Sequence, residues 1–197
     1  LTMQLCDHVK NQMGCVANMH LTCTNMKPEL VDVALADCKK SGVCNLVALR
    51  GDPPRGSEKW EAVEGGFQCG EDLCSYITKH HGNWFSIAVA GYPEGHPDNI
   101  DTIEGDVDTA WASLTESEKK RAAISVDEAT GKKIVTVCRD AKYKIEMEYL
   151  KKKIDAGGNL IITQMFLDAG VFIQFMQDCK DYGINVPVVP GIMCLNG

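Results

Sequence analysis

Three stretches of the chain concentrate residue types that could do chemistry. Arg50-Gly51-Asp52 closes the apolar run Asn45 to Gly51. Gly51 permits close backbone approach, and the flanking charges sit at a strand end where an apolar core would not tolerate them unpaired. Either an internal Arg–Asp pair ties this turn, or a carboxylate faces a ligand with an arginine beside it. Pro53-Pro54 stiffens the exit. The second stretch, Ala90 to Pro97 (AGYPEGHP), packs an aromatic ring, a carboxylate and an imidazole into a loop with two prolines. Loops this dense in functional groups on a rigid scaffold carry function: Tyr92 can stack on a flat heterocycle, and His96 can bond a phosphate or a ring. The third is Gln164, closing Ile161-Ile162-Thr163, whose amide can read a heterocycle edge. His20 also ends an apolar run, but a lone histidine there is as readily structural. Lys151-Lys152-Lys153 reads as a solvated face, or as charge that holds a phosphate.

These residues need elements to hold them. Five apolar runs read as strands: Val16 to Cys23, Asn45 to Gly51, Phe85 to Pro93, Leu160 to Phe166 and Val186 to Met193. They are nearly continuous rather than alternating, as in parallel strands covered on both faces. Helical patterns lie between them. Pro28 to Lys40 starts with a first-turn proline and sets Leu30, Val33, Ala34 and Cys38 on one face. Phe67 to His81, Ile145 to Ala156 and Asp168 to Tyr182 repeat the design, and Leu1 to Gln12 reads as one more helix. Alternating strands and helices mean an α/β fold with a parallel sheet. No G-x-G-x-x-G turn follows the first strand, which argues against a dinucleotide-binding sheet. Polar groups at nearly every strand's C-terminal end favour a (β/α)8 barrel of the TIM type.

Such a barrel takes about 250 residues. The five strands therefore predict about five central βα units, a partial catalytic barrel over 1–197, with strands expected beyond both ends. One polar stretch after the third strand, about 98–144, is far longer than a usual βα loop and reads as an insertion. It opens acidic, carries a T-x-x-E helix start at Thr115 to Glu118, and then a hairpin from Ala123 to Asp127 and Lys133 to Val137 turning through Ala129-Thr130-Gly131. A surface excursion is the simpler reading; a lid or subunit contact is the sharper one.

With 45% hydrophobic residues, 24% charged residues and a net charge of -7, the composition suits a globular enzyme and argues against nucleic acid. No apolar run reaches the roughly 20 residues of a membrane span, and the opening residues show no signal-peptide pattern, so neither secretion nor membrane insertion is expected. The ten cysteines form no C-x-x-C and no zinc-ligand spacing. Reduced thiols in a cytoplasmic protein are the expectation, with no metal.

Six motifs in order carry a resemblance. H-L-T-C from His20, L-V-A-L-R-G-D-P-P from Leu46, V-A-G-Y-P-E-G-H-P from Val89, K-I-D-A-G from Lys153, I-I-T-Q-M-F from Ile161 and V-P-G-I-M from Val189 resemble the methylenetetrahydrofolate reductase family. The resemblance implies a flavoprotein oxidoreductase of one-carbon metabolism and methionine biosynthesis. That family binds FAD on the barrel and reduces 5,10-methylenetetrahydrofolate to 5-methyltetrahydrofolate by ping-pong kinetics, with NADPH or NADH as donor. It also implies a cytoplasmic homo-oligomer with a folate substrate, no nucleic acid and no membrane.

Carried over by motif, His20, Arg50, Gly51, Asp52, Tyr92, His96, Pro97, Asp98 and Asn99 resemble flavin contacts. Glu146, Tyr149, Lys152 and Lys153 fall where the family's following helix supports FAD. Cys69 and Gly70 stand where the family often has Tyr-Ala, so a backbone contact to the flavin survives there and an aromatic one does not. Asp52 resembles the carboxylate that also meets the folate and takes the catalytic role. Gln164 resembles the glutamine shared by folate and nicotinamide. The family's general-acid glutamate, on its first strand, has no counterpart here, so this stretch alone is expected to be inactive. Two other readings are an inactive barrel fragment and an FAD-barrel oxidoreductase of the proline dehydrogenase type.

Overall fold

A computed structural model of the chain describes residues 2–53, 56, 60–127 and 130–192. Pro54, Ala129, Met193 and Cys194, used in the sequence reading, lie outside the described residues. The elements run α1 (Thr2–Asp7), a π-helical turn (His8–Gln12), β1 (Asn18–Thr22), α2 (Pro28–Ser41), β2 (Asn45–Leu49), α3 (Gly70–His81) and β3 (Ser86–Gly91). Then come β4 (Ile100–Ile103), α4 (Val107–Ala112), α5 (Glu116–Arg121), β5 (Ala123–Val126), β6 (Lys133–Cys138), α6 (Asp140–Asp155), β7 (Leu160–Met165), α7 (Ala169–Asp181) and β8 (Val188–Gly191). Short 3-10 turns precede β3 and β4.

The five apolar runs become one sheet of order β1-β2-β3-β7-β8, and a second sheet has the order β4-β6-β5. β1, β2 and β3 pair in parallel, with Asn18 opposite Asn45 and Asn45 opposite Ser86. Leu46, Val47 and Ala48 are all buried in succession, the signature of a strand covered on both faces. This is an α/β fold with a parallel sheet and crossover helices.

By its contacts the chain divides into two compact units, Leu1–Ala90 with Lys152–Ile162, and Gly91–Lys151 with Thr163–Gly197. In the first, α2 starts with Pro28 in its first turn and stops at Gly42, whose left-handed conformation ends it. Its buried stripe is Val31, Leu35 and Cys38, whereas Leu30 and Val33 are exposed. The expected face is therefore wrong by one position except at Cys38. Both stripes are apolar in sequence, so periodicity alone could not choose between them. Packing buries Val31 and Leu35, and Cys38, common to both stripes, has its Sγ 3.7 Å from Met19 Sδ of β1. The opening helix is likewise α-helical only through Asp7 before it widens into the π turn.

In the second unit, α6 begins at Asp140, five residues before the expected Ile145. Its inward stripe, Tyr143, Met147 and Leu150, is buried at helical spacing. The described residues of 98–144 form regular elements. β4 pairs antiparallel with β6, as does β5, and Val135, Val137, Ala110 and Leu114 form a small core with Trp111 packed against it. The helix start at Thr115 is a complete capping box with Glu118.

Candidate functional site: polar clusters at the strand ends

In the first unit the cluster lies beyond β1 and β2. Met19 and Leu21 point into the core, so period-2 alternation leaves His20 exposed. The Arg50-Gly51-Asp52 turn packs onto the end of β1. Gly51 has φ +85°, and a Cβ there would come within 2.5 Å of Thr24 Oγ1 and 3.0 Å of Thr22 Cβ. Only glycine fits. Thr24 Oγ1 lies 3.2 Å from the Arg50 carbonyl and 3.0 Å from the Asp52 carbonyl, so its one proton is shared between them. It accepts the Trp60 indole N–H at 2.9 Å, and the Arg50 guanidinium lies 5.7 Å from the Trp60 ring centroid. Thr24 and Trp60 thus hold this turn, for which an internal Arg–Asp tie was one of the two expectations. Neither carries a local signal, being 36 residues apart.

The Asp52 carboxylate is exposed and makes no hydrogen bond or ion pair among the described residues. Cys69 precedes α3 in extended conformation, and its carbonyl accepts the Cys23 thiol at 3.3 Å. A Cβ on Gly70 would meet the Ala48 carbonyl at 3.5 Å, ordinary contact distance. Lys152 is exposed, but Lys153 is buried and donates to the Ala90 carbonyl at 2.6 Å. The triple lysine is therefore not one solvated face. Helical spacing puts Lys153 on the inward stripe three residues after Leu150. Burial pushes the neighbouring Cys74 thiol up to about 12, against the pull of the Lys153 charge.

In the second unit the loop after β3 is organised by one side chain. Glu146 of α6 accepts the His96 backbone N–H at 2.8 and 2.9 Å and the Asn99 side-chain amide at 2.7 Å. The His96 ring stands edge-on to Tyr92, centroids 4.7 Å apart. His96 Nδ1 accepts the Asp98 backbone N–H at 3.1 Å, so a neutral imidazole carries its proton on Nε2. Pro97 opens the short 3-10 turn that ends at Asn99. Gly95, at φ +101°, faces Cys138, and an added Cβ would come within 2.4 Å of Cys138 Cβ. Burial, with the Glu146 carboxylate nearby, pushes the Cys138 thiol up to about 11. Glu94 is held above the usual carboxylate range by burial and by the like charge of Asp168. Tyr149 is half-buried on α6, and Gln164 is exposed near the end of β7.

A family model described as methylenetetrahydrofolate reductase matches residues 1–197. The chain belongs to the methylenetetrahydrofolate reductase family. It is 40% identical over 196 residues to a "probable methylenetetrahydrofolate reductase (NADH)" of Oryza sativa subsp. japonica, covering 100% of this chain and 28% of that protein. With "methylenetetrahydrofolate reductase (NADH) 1" of Arabidopsis thaliana it shares 41% identity over 193 residues, 98% of this chain and 27% of the relative. Identity to the "5,10-methylenetetrahydrofolate reductase" of Escherichia coli K12 is 30% over 185 residues, 94% of this chain and 46% of that protein. The chain thus spans less than a third of the plant reductases it matches. Among the described residues, no three His, Cys, Asp or Glu side chains gather as metal ligands, and no helix is long and apolar enough to cross a membrane.

Proposed function

We propose that the whole protein reduces 5,10-methylenetetrahydrofolate to 5-methyltetrahydrofolate with electrons from NADH or NADPH, and that FAD carries them. The observation that carries this reading is family membership over the entire chain, together with an exposed Asp52 carboxylate beyond β2 that has no partner among the described residues. FAD, when bound, supplies the hydride that the substrate's methylene carbon receives.

The donor set suits that cofactor. Gly51 closes a turn in which only glycine fits, which sets the backbone of Arg50 and Asp52 for a ligand. Arg50, His20 and the exposed Lys152 offer donors, and Cys69 and Gly70 offer backbone. In the other unit Tyr92 offers a ring face, while His96, Pro97, Asp98 and Asn99 form a loop fixed by Glu146, with Tyr149 on the same helix. Lys153 acts differently from a free phosphate partner, because its ammonium fixes the Ala90 carbonyl at the end of β3. Gln164 binds folate and nicotinamide in turn. A negative Asp52 stabilises the cationic iminium that forms from the substrate's methylene bridge.

In this reading the strands of the parallel sheet are central strands of a (β/α)8 barrel, 98–144 is an insertion within it, and the protein is a cytoplasmic homo-oligomer. The free thiols of the described cysteines suit a reducing compartment. The test is anaerobic spectroscopy of the full-length protein. The expected result is a yellow protein bleached by NADH or NADPH and re-oxidised by methylenetetrahydrofolate. Bleaching by proline instead would assign it to proline dehydrogenase-type chemistry, and a colourless protein would refute the flavin.

A further inference from the structure

Sulfur side chains from three elements of the first unit converge. The buried Cys38 thiol of α2 stands between two thioethers, 3.3 Å from Met3 Sδ of α1 and 3.7 Å from Met19 Sδ of β1. Cys6 follows Met3 at helical spacing on α1, so it shares the face that meets α2. Burial pushes the Cys38 thiol up to about 11, and the nearby Cys6 thiol adds to that push. Cys38 and Met19 are 0% and 3% exposed, whereas Met3 and Cys6 are half-buried. The set is thus fixed on its inner side by β1 and α2 and reached from solvent past α1. Packing alone does not call for sulfur at every one of these positions, since leucine fills such gaps with better-defined rotamers.

We propose that Met3, Cys6, Met19 and Cys38 form a binding site for a soft monovalent cation, Cu(I). Thiolate and thioether donors select Cu(I). Zinc takes thiolate, imidazole and carboxylate, and calcium and magnesium take oxygen. Three sulfurs held around one metal at about 2.3 Å lie roughly 4 Å apart. The two contacts of Cys38 therefore need to open by less than about 1 Å, which unbranched methionine side chains accommodate. Each coordinating thiol loses its proton to solvent, and copper enters and stays as Cu(I). A single cation, unlike a bulky thiol reagent, reaches Cys38 past Met3 without opening the core. The site departs from the expectation of no metal, because no ligand spacing marks residues that only the fold brings together. It does not rest on the flavin reading.

Anaerobic competition of the reduced full-length protein against the Cu(I) complex of bicinchoninate tests the site. The expected result is withdrawal of Cu(I) from the chelator. Met3→Leu and Met19→Leu conserve volume, with circular dichroism as the check on fold, and each should weaken the tightest-bound equivalent about tenfold or more. Cys38→Ala should abolish that equivalent, and Cys15→Ser should leave it unchanged. X-ray absorption of protein loaded with one equivalent should show sulfur alone around the metal. Failure to withdraw Cu(I) overturns the proposal. So does uptake that neither methionine variant weakens, which would assign the metal to other thiols such as the exposed Cys15, and so do nitrogen or oxygen donors around the metal.

Discussion

The carboxylate of Glu146 receives the His96 backbone N–H on both of its oxygens, at 2.8 and 2.9 Å, from fifty residues away in sequence. A single α6 side chain thereby fixes the loop that carries Tyr92, His96 and Asn99. Hydrogen bonds to a charged acceptor contribute about 1.5–3 kcal/mol each. Glu146→Ala should cost about 2–3 kcal/mol of stability in urea unfolding. Glu146→Gln, which keeps one acceptor oxygen, should cost roughly half as much. If the loop lies along the cofactor, FAD should dissociate faster from both variants, measured by fluorescence on dilution. Unchanged stability in Glu146→Ala would remove the loop-fixing role.

Gly95 and Gly70 should respond oppositely to alanine. At Gly95 the backbone is left-handed and the new Cβ would meet Cys138 at 2.4 Å, so strain and overlap together should cost about 2 kcal/mol or more. At Gly70 the nearest atom is 3.5 Å away and α3 begins there, so Gly70→Ala should be neutral or stabilising by about 0.4–1 kcal/mol. Thermal melts of the two variants side by side check the contrast.

Arg121 ties α5 to α6. Its guanidinium is almost fully buried, donates to Asp140 and Ser117, and lies 4.0 Å from the Tyr143 ring centroid. Burial pushes the Asp140 carboxyl up, but hydrogen bonds from Arg121 and Thr115 and the guanidinium charge outweigh it and hold it below its usual value of 3.8. A depressed folded-state value stabilises above the unfolded one and is lost as pH falls through the folded one. Asp140 therefore contributes fully above about pH 4 and loses its effect below that. Asp140→Asn should flatten this acid limb and cost about 2 kcal/mol at pH 7, because Arg121 stays charged and under-paired. Denaturant melts from pH 2.5 to 7 measure both effects.

Burial pushes the thiols of Cys23, Cys74 and Cys179 up to about 12 and those of Cys38 and Cys138 up to about 11. At pH 8 these five are protonated and inert, while Cys15 is exposed. A thiol reagent should label Cys15 rapidly in the native protein, and the buried five only on unfolding. Since these folded-state values are raised, the stabilisation is intact below the unfolded value near 9 and falls as pH rises above it. Stopped labelling followed by peptide mass spectrometry reads the order.

The parallel strands were legible because burial on both faces leaves an apolar run that polar flanks delimit, as at Leu46 to Leu49. The face of α2 was not, since Leu30 and Val33 are as apolar as Val31 and Leu35, and only tertiary packing distinguishes them. β4 was missed because Asp101 and Thr102 make it read as part of an acidic loop, and its strand character comes from pairing with β6. The polar residues of the candidate site announced themselves at the strand ends. Their supports, Thr24 with Trp60 and Glu146 with His96, did not. Those pairs are brought together by tertiary structure, and residues so far apart leave no periodic or local trace.

Asp52 stands apart from those supports, because its carboxylate is exposed and has no partner among the described residues. A charge kept free in this way costs little in folding and remains available to a ligand. Asp52→Asn should therefore change stability by less than about 0.5 kcal/mol. Its effect should fall on chemistry in which positive charge develops on the substrate. In the full-length protein, flavin reduction by NADH or NADPH should slow only slightly. Flavin re-oxidation by methylenetetrahydrofolate should slow by about a hundredfold, the scale on which a positioned electrostatic group is felt. Stopped-flow measurement of the two half-reactions separates them. Equal losses in both would reduce Asp52 to a general flavin contact, and a large loss of stability would mean that its carboxylate serves the fold instead.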